Sequence, residues 1–220
     1  MTRILSARNA GGDVSRLSLL LLAALAASAC RTTAVAVPLE KPEEHDAKAY
    51  PDQLERWTRH ARIIRELDTS LRVHATLLAP AFRSAYVARY AELFKLPTAE
   101  RSQLAQRLRE EWRESYAFVV VVSTHDYEWN DFDQKDSIWR VSLFNNDEQE
   151  VKPSSVRRER RPTVTDKTLF PHLEEFYQLY RFRFPRLRAD GRPLVDSETE
   201  QLTLRFAGPL GHADLVWRLK

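Results

Sequence analysis

Tyr116 to Thr124 reads YAFVVVVST, and this stretch decides the fold class. A strand with one wet face alternates apolar and polar residues. Here Phe118, Val120 and Val122 fall on one face and Ala117, Val119 and Val121 on the other, so neither face is polar. A run apolar on both faces predicts a central strand. The segments that follow do alternate. SIWRVSLF places Trp139, Val141 and Leu143 on one side, and EQLTLRF does the same with Leu202, Leu204 and Phe206. ADLVWRL puts Leu215, Trp217 and Leu219 inward, and AGPLG before it is a turn signal. EEFYQLYRFRF predicts Phe176, Tyr180, Phe182 and Phe184 inward, with Tyr177, Arg181 and Arg183 outward.

Upstream of the central strand the periodicity is helical. Pro80 can start a helix whose apolar face is Phe82, Ala85, Tyr86, Tyr90, Leu93 and Phe94. Pro97 ends it, and Thr98 can cap a second helix with Leu104, Leu108 and Trp112 as its buried stripe. Leu54, Trp57, Ala61, Ile64 and Leu67 recur at helical spacing, whereas TSLRVHATLL alternates as a strand. A short helix or strand to Glu66, a turn at Asp68-Thr69-Ser70 and then a strand are expected. The predicted class is α+β: a mainly antiparallel, β-sandwich-like domain over residues 51–220, with a helical pair inserted at about 80–114.

The N-terminal segment has a different character. Arg3, Arg8 and Arg16 face a single acid, Asp13, before the small and apolar run Leu17 to Ala29. A basic head, an apolar middle and a small-residue exit form a secretory signal over residues 1–29. The run is 13 residues long, short of the roughly 20 that cross a bilayer. It ends at Cys30, the only cysteine of 220 residues. Ala27-Ser28-Ala29 fits ordinary secretory cleavage. Ala27-Ser28-Ala29-Cys30 resembles the lipobox of bacterial lipoproteins, with Ala27 where leucine is usual.

That resemblance implies acylation of Cys30, with the lipid bilayer as partner. It also implies the periplasmic face of the outer membrane as location, because Arg31 follows the cysteine where the family's inner-membrane retention signal has an aspartate. Residues 30–50, with Pro38, Pro42 and mixed charge, read as a tether. The order of HATLLAPAFRSAYVARYA, DSIWRVSLF, FPHLEEFYQLYRFRFP and GPLGHADLVWRL also resembles uncharacterised lipoproteins of soil delta-proteobacteria. That likeness implies no activity.

Composition removes several function classes. The chain's net charge is +3, of which the leader's three arginines and one aspartate supply +2. The remainder is nearly neutral and lacks the concentrated basic face of a nucleic-acid binder. A single cysteine allows no intrachain disulfide, so the fold stands on packing. Past the leader the only glycines are Gly191, Gly208 and Gly211, all at expected turns, so no glycine-rich phosphate cradle is present. The six histidines show no zinc-ligand spacing and read as scattered over the surface. No cofactor is expected.

Two polar stretches are the candidate sites. HDYEWNDFDQKD, His125 to Asp136, concentrates Asp126, Glu128, Asp131 and Asp133 between two strands. Such a loop can offer oxygens to a hard cation. Counted from Asp126 as a calcium loop, however, Asp131 stands where glycine is needed and Ser137 where a bidentate glutamate is needed. The other reading is a solvated loop with Trp129 and Phe132 turned inward. SSVRRERRP carries Arg157, Arg158, Arg160 and Arg161, a set that can grip anions or simply keep a strand edge soluble. The leading expectation is a non-enzymatic, membrane-anchored binding or structural module of the cell envelope, with an envelope protein or glycan as possible partner. The alternatives are a periplasmic hydrolase or metal enzyme built on loop 125–136, and an anion-binding module built on Arg157–Arg161.

Overall fold

The computed structural model describes residue 39, residues 44–65 and residues 68–219. The leader, Cys30 and most of the expected tether lie outside the described residues. The fold is α+β with mainly antiparallel sheets. Helix α1 (Tyr50–Trp57) runs directly into strand β1 (Thr58–Arg65), which pairs with β2 (Asp68–Leu77). Helices α2 (Pro80–Phe94) and α3 (Thr98–Glu114) lead to β3 (Ser115–Thr124). Strands β4 (Arg140–Asn145), β5 (Glu150–Val151) and β6 (Ser155–Glu159) precede a short helix, α4 (Val164–Leu169). Strands β7 (Gln178–Pro185), β8 (Gln201–Gly208) and β9 (Gly211–Arg218) complete the order.

The strands form a five-stranded sheet, β1-β2-β3-β7-β6, and a four-stranded sheet, β5-β4-β8-β9. The valine-rich β3 is the middle strand of the first sheet, as its two apolar faces require. The face with Phe118, Val120, Tyr180, Phe182 and Phe184 packs on the second sheet, where Phe118 meets Trp217 at 5.3 Å and Phe182 meets Phe206 at 6.1 Å between ring centroids. Leu202, Leu204, Phe206, Leu215 and Trp217 are buried on the facing side. The opposite face of the first sheet carries the buried Val119, Val121 and Leu179. On that face Arg181 and Arg183 pair with Asp166 of α4 and Glu111 of α3, at 3.2 and 4.0 Å.

The two sheets also meet along one side, β1 beside β9. Arg59 Nε donates to the carbonyl of Val216 at 2.9 Å. Gly211 has φ +126°, and a Cβ there would stand 2.9 Å from Ile63 Cγ2, so this close approach needs glycine. The buried Arg83 ties α2 to its surroundings: its Nε donates to the carbonyl of Leu78 at 2.7 Å and its guanidinium pairs with Glu111 at 3.2 Å.

Several local expectations are corrected. Residues 54–65 are helix and then strand, the switch falling at Trp57, and Asp68, Thr69 and Ser70 are strand residues and not a turn, Asp68 and Thr69 pairing with β1 and Ser70 falling at a register shift. Pro97, not Thr98, is the N-cap of α3, with no side-chain cap bond. Of the α3 stripe only Trp112 is buried, and Leu104 and Leu108 are half-buried. On α2, Phe82 and Ala85 are buried but Leu93 and Phe94 are exposed. Phe176 is 82% exposed, because β7 starts only at Gln178. The described fold also reaches ahead of residue 51: Asp46 caps a 3-10 turn at Ala47–Ala49, and the buried Tyr50 donates its hydroxyl to the carbonyl of Leu169.

Candidate functional site

The acidic loop leaves β3 at His125, and two of its carboxylates, Asp126 and Asp131, are spent on the loop itself. Asp126 accepts from the Glu128 amide at 2.9 Å and caps a 3-10 turn. Asp131 accepts from Ser137 Oγ at 2.8 Å and from the Ile138 amide at 3.1 Å. The buried Asn130 fixes the centre, where its carbonyl and Oδ1 accept from the Tyr180 hydroxyl at 2.8 and 2.9 Å. Phe132 is buried and stacks on Trp139, whose indole N–H donates to the carbonyl of Trp129 at 2.7 Å. Trp129 itself is half-buried. Glu128 and Asp136 are exposed, and Asp133 Oδ1 is buried with no hydrogen-bond partner among the described residues. Among the described residues no group of three or more His, Cys, Asp or Glu side chains is placed to hold a metal ion.

The four arginines do not converge. Strand β6 is an edge of the five-stranded sheet and pairs only with β7. Arg157 reaches Glu159 at 3.6 Å. Arg158 turns to the other face, where its Nε donates to Gln178 Oε1 at 3.1 Å and its Nη2 to the Tyr127 hydroxyl at 2.7 Å. It lies over the rings of Tyr127 and Tyr180 at 5.3 and 6.0 Å. Arg160 and Arg161 are exposed beyond the strand. The two candidate stretches thus meet at one arginine, a contact with no signature in sequence spacing. Burial pushes the Tyr180 hydroxyl well above its ordinary range, and Arg158 opposes that shift.

The histidines are not all scattered. His60 on β1 and His74 on β2 are direct cross-strand partners, with ring centroids 5.8 Å apart. His172, in the segment after α4, stacks on His74 at 4.7 Å with ring planes 12° apart, and Tyr177 lies 6.3 Å from His74. Burial first, then the two neighbouring imidazoles, holds His74 down at about 4. Burial and His60 also lower His172, against an opposing pull from Glu174. The sequence spacing does not reveal this cluster because it leaves residues up to Glu66 open between helix and strand. With β1 assigned, the pairing of His60 and His74 follows from register.

Beside the stack lies an open cleft of about 500 Å³, lined by Arg72, Ser123, Thr124 and His125 on one side and by Glu174, Glu175, Phe176 and Tyr177 on the other. Phe176 sits there at φ +71°, a left-handed conformation rare for a bulky residue.

No family model matches the chain. No curated protein matches it. A solved structure from Burkholderia pseudomallei K96243, described as a novel protein of unknown function, aligns over 82% of this chain and 93% of its own. The two are 8% identical, with a TM-score of 0.39, a likeness that bears on no functional residue here.

Proposed function

We propose that the chain is a bacterial lipoprotein, acylated at Cys30 and held at the periplasmic face of the outer membrane. Its α+β domain acts there as a non-enzymatic binding or structural module. The observation that carries this reading is the placement of the only thiol directly after a 13-residue apolar run with a basic head. A thiol left exposed in an oxidising compartment invites unwanted pairing. Acylation removes that hazard and supplies the anchor. Two chains already give stable attachment, at about 0.8 kcal/mol per buried methylene.

The chemistry of the polar loop favours a module over a hydrolase. Asp126 and Asp131 accept from their own loop, which leaves neither poised as an acid–base pair. Arg157 and Arg158 lie on an edge strand and Arg160 and Arg161 just beyond it, where charge hinders edge-to-edge pairing of sheets. Cys30→Ala in the native host is the test. The variant is expected in the soluble fraction or arrested before maturation, while the wild type sediments with membranes. Equal fractionation of the two would remove the anchor.

A further inference from the structure

We propose that the stack of His60, His74 and His172 is an acid-sensitive latch, which holds segment 171–177 against the five-stranded sheet at neutral pH and releases it on acidification, opening the cleft that this segment walls. The three imidazoles come from three separate pieces of chain. Two belong to paired strands and cannot move apart. The third sits on a lightly anchored segment: Leu173 is its one buried residue and Tyr177 packs half-buried against the core, while Glu174, Glu175 and Phe176 are exposed. Phe176 carries a left-handed backbone at φ +71°, so closure also stores local strain. A segment with few buried contacts opens at low cost.

The surroundings bias the stack toward release. In the sheet register the row next to His60 and His74 is Arg62 and Arg72, and the row on the other side is Thr58 and Thr76. Strand β3 places Val121 beside His74. Among the described residues the carboxylate acting on His172 is Glu174, on the moving segment itself. Protons arriving at the stack therefore meet two other imidazoles and two arginines, with one acid to offset them. Released, His74 and His172 regain water, whereas His60 is already exposed.

The sign follows. His74 and His172 are both depressed in the closed state, so the closed state binds fewer protons than the open one. Closure is fully stable above the ordinary histidine range near 6.5 and weakens as pH falls toward about 4. At pH 5 the balance therefore moves toward the open form.

Amide hydrogen exchange of the purified full-length protein at pH 7.5 and 5.0, corrected for intrinsic rates, reads the latch directly. The expected result is at least a tenfold loss of protection in 171–177 at pH 5.0, with β3 unchanged, and no such loss in His74→Phe, which keeps a ring but cannot take a proton. Unchanged protection in the wild type, an equal loss in His74→Phe, or a loss that includes β3 would overturn the proposal. If His74→Phe does not fold at neutral pH, an imidazole titration of the wild type by NMR decides. A depressed midpoint for His74 sustains the latch, and a midpoint near 6.5 ends it.

Discussion

The indole N–H of Trp217 donates to the main-chain carbonyl of Trp57 at 2.8 Å, across 160 positions of sequence. Both side chains are fully buried. The bond joins the last strand to the point where α1 becomes β1, the place where the two sheets meet. Trp217→Ala is expected to cost about 3–5 kcal/mol through lost burial. Trp217→Phe keeps most of the apolar area but leaves the Trp57 carbonyl unpaired, at about 1–3 kcal/mol. Chemical denaturation of the three proteins measures both. A Trp217→Ala variant melting within a degree of the wild type contradicts the packing described.

Asp131 holds the end of the acidic loop through Ser137 and the Ile138 amide. Asp131→Ala is expected to destabilise the domain by about 1–3 kcal/mol, since the Ile138 amide loses a charged acceptor. Millimolar calcium is expected to leave the wild-type melting temperature unchanged. A calcium-dependent rise on the order of 5 °C would instead mark selective binding to the folded state and assign the loop to a metal.

Changing Arg157, Arg158, Arg160 and Arg161 together to Gln is expected to raise aggregation, because β6 pairs with β7 alone and is an edge of its sheet. Association with lipopolysaccharide or peptidoglycan, followed by sedimentation at low and high salt, is expected to stay as in the wild type. A salt-sensitive association present in the wild type and absent in the variant promotes the anion-binding reading.

Phe176 is a bulky residue at φ +71° with its side chain 82% exposed. Glycine adopts that conformation without strain, and little burial is lost with the ring. Phe176→Gly is therefore expected to raise stability at neutral pH by about 0.5–1 kcal/mol, a gain read as a shifted urea midpoint at constant slope. A clear loss of stability would show that the ring makes contacts its exposure hides.

What the sequence disclosed follows how much each segment depends on simple patterning. Strands β3, β8 and β9 bury whole faces, so their apolar period matches the buried set, down to Trp217 between Leu215 and Leu219. Strand β1, TRHARIIR, could be read as helix or strand because Ala61 and Ile64 continue the helical spacing of Leu54 and Trp57, whereas the residue that β1 buries is Ile63 and Ile64 is exposed. The alternation of EEFYQLYRFRF extends back to Phe176 although β7 starts at Gln178, because nothing in FYQ announces that Phe176 turns left-handed. On α2 the sequence shows an apolar stripe but not which part of it the sheet covers, so Phe94 looked as buried as Phe82. The acidic loop was legible as a loop, whereas the use of Asp131 within it depends on Ser137 returning to the same point. The histidine stack required β1, and the meeting of Arg158 with Tyr127 required the whole sheet order.

The central claim is that Cys30 is the acylated first residue of the mature protein. Mass spectrometry of the N-terminal peptide of membrane-purified protein from the native host tests it most directly. The account predicts a peptide that begins at Cys30 and carries acyl chains on the thiol and the amine. An unmodified Cys30 at the N-terminus, or a mature chain that still contains Ala27-Ser28-Ala29 ahead of it, would contradict the account.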